Sequence, residues 1–191
     1  IGPAGENLVR FATVSHAGRH AGRGGLGAVM GSKRLKAIAV RGEMPTRLSD
    51  PKRVQVIARD LVARSRGPAT AKYRELGTVA NLETFARVGA LPTHNFAGGR
   101  VEGIEKLGVR PLQSERSHER TSCVACTIGC EHRYSNGTEM ARVEYESLFA
   151  LGPLCGVADP AVVLEASLRC DELGLDTVST GGTIAFAMEC A

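Results

Sequence analysis

The sequence predicts an α+β fold: a short β-rich N-terminal portion followed by a mainly α-helical domain. Two observations predict it. Residues 1–42 are rich in glycine and in short apolar runs, the composition of strands joined by turns. Further on, Asp-Pro and Asp-Thr pairs open segments whose apolar residues recur at helical spacing. The division falls near residue 45, giving a portion of 1–45 and a second of 46–191.

Composition narrows the classes. With 191 residues, 43% hydrophobic and 23% charged, the chain is folded and long enough for one large domain or pieces of two. Aromatic residues are only 4% and tryptophan is absent, which speaks against a stacking platform for nucleic acid. A net charge of +4 spread along the chain favours neither nucleic acid nor a membrane surface. No run of about 18 apolar residues is present, so no membrane span is expected. Six cysteines without paired spacing read as a metal site in a reducing compartment, and hence a cytoplasmic protein. The chain opens at Ile1 without the basic start and apolar centre of a signal peptide, and Ala191 falls inside an apolar, helix-like run. The expectation is a fragment of a longer polypeptide.

In chain order, Leu8–Val14 and Leu35–Val40 read as strands. Between them lies Ala21-Gly22-Arg23-Gly24-Gly25-Leu26-Gly27-Ala28-Val29-Met30-Gly31-Ser32-Lys33. Gly22, Gly24 and Gly27 match G-x-G-x-x-G formally, but a strand-like segment is expected after them where a dinucleotide fold opens a helix. Two readings stay open: a glycine loop whose backbone N–H groups approach an anion beside Arg19, Arg23 and Lys33, or a β-rich turn needing positive φ.

Asp50 and Pro51 then suit the N-cap and first position of a helix with Val54, Ile57, Ala58, Leu61 and Val62 as its apolar stripe, ended by Gly67-Pro68. Helical pieces follow at about 70–76 and 78–88, separated by Gly77. Residues 89–122, broken by Pro92, Gly98-Gly99, Gly103, Gly108 and Pro111, read as a long irregular segment that wraps a surface or lines a site. Asn136-Gly137 signals a hairpin turn. Glu144–Leu151 reads as a short helix, Asp159-Pro160 opens a helix to about Leu173 with Gly174 at C′, and Asp176-Thr177 caps the last helix.

The chemistry concentrates at Cys123, Cys126 and Cys130, spaced C-x2-C-x3-C. Three soft thiolates on short spacers converge readily on one metal centre, yet a closed site needs a fourth ligand. The spacing leaves open an iron–sulfur cluster completed by a distant cysteine, a structural zinc with His118 or His132 as fourth ligand, and three core residues. Cys155, Cys170 and Cys190 sit in helical patterns and read as small buried residues.

Taken together, five blocks resemble the tungsten-dependent aldehyde:ferredoxin oxidoreductase family across nearly the whole chain. They are Ile1–Asn7 with the glycine-rich stretch, Leu91-Pro92-Thr93-His94-Asn95-Phe96, the cysteine motif, Glu144–Gly152, and Cys170–Thr177. The resemblance implies the end of an N-terminal β domain that is the base for a cofactor, then much of the first of two helical domains. It implies a tungsten or molybdenum bis-pterin with a [4Fe–4S] cluster that passes electrons to ferredoxin or an iron–sulfur subunit. By the same resemblance, Arg23, Gly24 and Gly25 contact pterin phosphates, Asp171, Gly174, Leu175 and Asp176 form one of two D-x-x-G-L pterin grips, Cys123, Cys126 and Cys130 hold the cluster, and Glu146 serves proton transfer or substrate orientation.

Two departures stand out. Thr127 replaces the usual proline after the second cluster cysteine, which should tilt the loop without removing a ligand. Glu165-Ala166-Ser167-Leu168 lacks the histidine of the E-x-x-H that holds iron between subunits in some relatives, so no such iron site is expected. In the family the fourth cluster cysteine and the second pterin grip lie beyond the position of Ala191, and other cofactor contacts lie before Ile1. The implied function is oxidation of a small aldehyde to a carboxylic acid, with the remainder of the polypeptide as partner, an open oligomeric state, and no activity for these residues alone. The rivals are a non-enzymatic zinc or iron–sulfur module and a relative reducing an aromatic thioester.

Overall fold

The computed structural model describes residues 1–191. Its elements are α1 (Pro3–Glu6), β1 (Val14–His16), β2 (Arg19–Ala21), α2 (Leu26–Ser32), α3 (Pro51–Ser65), α4 (Ala71–Leu76), α5 (Ala80–Arg87), α6 (Val109–Glu115), β3 (His118–Thr121), β4 (Glu131–Ser135), β5 (Met140–Val143), α7 (Tyr145–Leu151), α8 (Pro160–Leu173) and α9 (Thr177–Glu189). The class is α+β, but the strands are distributed differently from the expectation.

The strands of the first 42 residues are those of the β1–β2 hairpin, with Ser15 opposite His20, and they stand between α1 and α2. Of Leu8–Val14, only Val14 enters a strand, and Ala12 makes a single bridge to Leu175. Leu35–Val40 forms no strand. Ile38 is 69% and Val40 89% exposed, because strand propensity without a pairing partner leaves the backbone unsatisfied. A helix does open after the glycines: Gly25, at φ 69°, is the N-cap residue of α2. The unit is still no dinucleotide fold, since the preceding strands form an antiparallel hairpin.

Glycine is required at that junction by close approach. A Cβ on Gly27 would overlap the Thr13 carbonyl oxygen, and one on Gly31 would overlap that of Gly5. α2 therefore lies directly on the backbone of residues 4–13.

The second half is built on the antiparallel sheet β3-β4-β5. β3 falls inside the segment read as irregular, which also holds α6. β4 and β5 are joined at Asn136-Gly137, where Asn136 Oδ1 accepts from the Thr138 and Glu139 N–H groups at 3.0 and 2.8 Å. The main core gathers Val79 and Leu82 of the α5 region, Leu107 and Leu112, Tyr134 and Val143 of the sheet, Leu148 of α7, and Val163 and Leu164 of α8. All three aspartate caps form as expected: Asp50 accepts from Arg53 N, Asp159 from Ala161 N and Asp176 from Ser179 N. The apolar stripe of α3 differs: none of its residues is buried, because no other part of the chain covers it. Of the cysteines read as core, Cys155 and Cys170 are buried, while Cys190 is exposed past the end of α9.

Candidate functional site

The three motif cysteines lie on the connection between β3 and β4, whose last pair is Thr121 opposite Glu131. Cys126 N donates to the Cys123 carbonyl at 3.0 Å, and Ala125 and Gly129 both take φ near 60°, which curls the loop. The Gly129 and Ile128 N–H groups bond the Cys126 sulfur and hold its thiol below the ordinary value. Burial, then the nearby Glu144 carboxyl, pushes Cys130 up. The loop brings the thiols into one turn without closing a site: no three His, Cys, Asp or Glu side chains gather closely enough to hold an ion. Thr127, at the usual proline position, meets Ser65 at the end of α3 through paired hydroxyls. His118 stacks on His132 at 6.2 Å between ring centroids, away from any metal-holding arrangement.

The glycine-rich loop and the D-x-x-G-L-D turn meet directly. α8 ends in a Schellman turn: Gly174 takes φ 75°, its N–H reaches Asp171 O at 3.3 Å and Leu175 N–H reaches Cys170 O at 2.8 Å. The turn is stitched to the N-terminal segment by Thr13 N to Gly174 O at 2.8 Å and Asp176 N to Phe11 O at 3.1 Å. Arg23 then reaches Asp176 Oδ2 at 3.1 Å, while Asp176 Oδ1 faces Gly22. Gly24, at φ 96°, has open space where a side chain would project. At Gly25 a Cβ would overlap the Arg10 carbonyl oxygen, so both backbone conformation and close approach exclude other residues.

Asp171 is paired on one oxygen. Its Oδ1 lies 3.2 Å from His20 Nε2 and 3.3 Å from an Arg142 guanidinium nitrogen. Arg19 reaches back to the buried Glu131 carboxylate, which also accepts the Thr121 hydroxyl at 2.7 Å. These groups border a polar cleft of about 440 Å³ lined by Arg19, Thr121, Ser122, Glu131, Arg142 and Asp171, with Val124 of the cysteine loop at its edge. Burial raises the Glu144 carboxyl, against a hydrogen bond from Thr78 Oγ1 at 3.0 Å. Glu146 stands two residues on, exposed in the first turn of α7. His20, Glu131 and Arg142 escaped the reading of the sequence, and Arg19 entered it only as positive charge beside the glycine loop, not as the partner of Glu131. Their partners are far away along the chain, although His20 lies just ahead of the glycine stretch and Glu131 directly follows Cys130.

The thiol loop and the D-x-x-G-L-D turn thus reach one polar cleft through Val124 and Asp171, and the glycine-rich loop is joined to that turn through Arg23 and Asp176, which defines an α+β class that gathers separate stretches of sequence around a cleft. Comparison with known proteins supplies the family. Residues 1–42 match the model for the N-terminal domain of aldehyde ferredoxin oxidoreductase, and residues 56–191 match that for its domains 2 and 3. The chain belongs to the aldehyde ferredoxin oxidoreductase family.

It is similar to the tungsten-containing aldehyde ferredoxin oxidoreductases of Pyrococcus furiosus, 43% identical, and Thermococcus kodakarensis, 41% identical; each match covers 99% of this chain and 32% of the relative. The WOR-like subunit of an aliphatic sulfonate oxidoreductase from Pyrococcus furiosus is 31% identical over 99% of this chain and 31% of its own length. Among solved structures, the active site complex BamBC of benzoyl coenzyme A reductase with 1,5 dienoyl-CoA superposes with a TM-score of 0.72, covering 99% of this chain and 31% of that one at 22% identity, a likeness of fold. The chain spans about a third of the length of the curated relatives it matches. No helix is long and apolar enough to cross a membrane.

Proposed function

We propose that these residues form the glycine-loop and first-grip portion of a tungsten or molybdenum bis-pterin oxidoreductase that converts aldehydes to carboxylic acids. One observation carries the reading: the Arg23 loop and the Asp171–Asp176 turn, which the resemblance assigns to one cofactor, are bonded together through Thr13, Phe11 and Arg23 itself. The donor set fits a pterin. The open Gly24 admits a phosphate group close to the backbone, Asp171 has one oxygen unpaired, and in the cleft Arg19 pairs with Glu131 and Arg142 with Asp171. The cysteine loop fits a [4Fe–4S] cluster in donor chemistry, with three thiols and one held toward thiolate. Because the sulfurs are not gathered in advance, cluster binding and loop closure occur together.

When bound, the metal–pterin group supplies the two-electron oxidation, with water as oxygen source and the cluster relaying electrons singly. The chain's own residues do the rest. Arg23, Gly24 and Gly25 bind the anionic part of the pterin, Asp171 with the turn through Gly174, Leu175 and Asp176 grips its N–H groups, and Glu146 takes or holds the proton released at the aldehyde carbon. The remaining cluster ligand and grip come from further polypeptide, and electrons leave to ferredoxin or an iron–sulfur subunit in a reducing compartment.

The test is the full-length polypeptide produced without oxygen and supplied with tungstate or molybdate. Expected are iron, sulfide and tungsten or molybdenum in the protein, aldehyde-dependent reduction of ferredoxin, and a loss of about 10²–10⁴ in rate for Glu146→Gln with the metals retained. Loaded protein that oxidises no aldehyde refutes the reaction; zinc in place of iron refutes the cluster.

A further inference from the structure

We propose that His20 and Arg142 are positioning residues that fix one oxygen of Asp171 so that the other is presented to the pterin, an inference that rests on the cofactor reading above. The geometry is a relay anchored at both ends. Thr13 Oγ1 lies 3.0 Å from His20 Nδ1, and His20 Nε2 lies 3.2 Å from Asp171 Oδ1. The same Oδ1 accepts from Arg142 at 3.3 Å. No protein group bonds Oδ2, and Asp171 lines the polar cleft.

The relay is braced by backbone. Thr13, only 1% exposed, donates its N–H to Gly174 O at 2.8 Å, so the residue that orients the imidazole is bonded to the turn that follows Asp171. The His20 side chain is 10% exposed, and a hydrogen bond to a carboxylate with so little water around it holds geometry better than one at the surface.

The arrangement also selects a tautomer. A carboxylate oxygen beside Nε2 calls for the proton on Nε2, which leaves Nδ1 as acceptor for the Thr13 hydroxyl. Burial keeps the imidazole pKa below its ordinary value, against the pull of Asp171, in accord with a neutral ring that donates in one direction only. A carboxylate with one oxygen held by two donors loses the freedom to rotate, and its second oxygen takes a fixed direction. That is the role an orienting partner plays for a ligand group.

The experiment uses the full-length enzyme. Pterin and tungsten or molybdenum are measured per polypeptide after dialysis, the pterin by fluorescence of its oxidised form, with the thermal midpoint recorded alongside. His20→Leu keeps the bulk and removes the donor; retention is expected to fall about tenfold, equivalent to about 1.4 kcal/mol. His20→Gln keeps an N–H at the distance of Nε2 and is expected to restore retention to within about threefold of the parent, since it still donates to Oδ1. Thr13→Val is expected to give an intermediate loss, and Asp171→Ala a loss at least as large as His20→Leu.

A His20→Leu protein that retains pterin like the parent while Asp171→Ala loses it overturns the relay and leaves the cofactor reading standing. Equal losses in His20→Leu and His20→Gln also overturn it, because packing rather than donation would then explain both. An Asp171→Ala protein with full pterin overturns the grip, and the relay with it. Should His20→Leu fail to fold, the contrast between Thr13→Val and Thr13→Ser decides: loss in the first and retention in the second support the relay, and equal retention overturns it.

Discussion

Gly181 and Gly182 are adjacent in the middle of α9, and replacing each by alanine should move stability in opposite directions. Alanine is favoured over glycine in a helix interior by about 0.5–1 kcal/mol, because glycine loses more backbone entropy. At Gly182 a new Cβ meets nothing within 4 Å, so Gly182→Ala should gain that amount in full. At Gly181 the same methyl would overlap the Ala150 carbonyl oxygen and carbon and come within 2.9 Å of its Cβ. Carbon atoms prefer about 3.5–4.0 Å, so α9 has to retreat from α7 by about 1 Å. Backbone atoms have no rotamer with which to yield.

Overpacking of this kind costs about 1–3 kcal/mol. Retreat also loosens Cys155, whose thiol bonds both Ala150 O and Gly181 O at 3.4 Å. Gly181→Ala should therefore lose about 1–2 kcal/mol net once the propensity gain is subtracted. For a chain of this size that means a melting point lower by about 2–8 °C, against a rise of about 1–4 °C for Gly182→Ala. Urea unfolding followed by circular dichroism, with m-values compared, measures both. Equal stability of the two variants would refute the close α7–α9 approach and every argument built on it.

Three further outcomes follow from the site. Burial raises the Glu144 carboxyl above its ordinary 4.5, so its folded state holds a proton more tightly than its unfolded state; its contribution to stability is full below pH 4.5 and is lost as pH rises through the folded value. Glu144→Gln, still able to accept from Thr78, should raise the urea midpoint at pH 7 and leave it unchanged at pH 4. Arg19→Met removes the counter-charge of buried Glu131 but leaves the Thr121 hydroxyl bond; a loss of about 1–2 kcal/mol is expected, below the figure for a fully buried pair because Arg19 is partly solvated, and a double-mutant cycle with Glu131→Gln should show coupling. In the full-length polypeptide, Cys123→Ser, Cys126→Ser and Cys130→Ser should each cost bound iron by elemental analysis, whereas Cys155→Ser and Cys190→Ser should not.

What the sequence made legible was local. Asp50, Asp159 and Asp176 were readable as caps because a cap is a bond between a side chain and an N–H two or three residues away. Asn136 and Gly174 were readable for the same reason: an Asx bond and a left-handed helix end are contained in a few residues. Leu35–Val40 misled because β-branched composition signals a strand only where another strand accepts it. α2 was hidden because Gly27 and Gly31 depress helix propensity, and the reason for those glycines is a distant backbone, not a neighbour in sequence. β3 was hidden because His118-Glu119-Arg120-Thr121 shows no apolar alternation; its pairing with β4 carries it. At the site, the motif residues stood in recognisable blocks. The links between Arg19 and Glu131 and between His20 and Asp171 belong to no block, and only the folded chain displays them.

Those links explain how one cleft draws on separate stretches of sequence. The N-terminal segment contributes little buried side-chain area, so it is held by backbone contact instead: Gly27 against Thr13, Thr13 against Gly174, Phe11 against Asp176. Backbone contacts of this kind fix position to within a hydrogen bond's tolerance, which side-chain packing of a small hairpin would not achieve. The cysteine loop is tied to the same hairpin by a different route, through Thr121, Glu131 and Arg19. A disturbance at Gly27 and one at Arg19 therefore reach the cleft independently, the first through the Asp171–Asp176 turn and the second through the thiol loop. If the two routes are independent, Gly27→Ala should cost pterin more than iron, and Arg19→Met iron more than pterin; equal losses of both in each variant would mean that the two loops are supported as one piece.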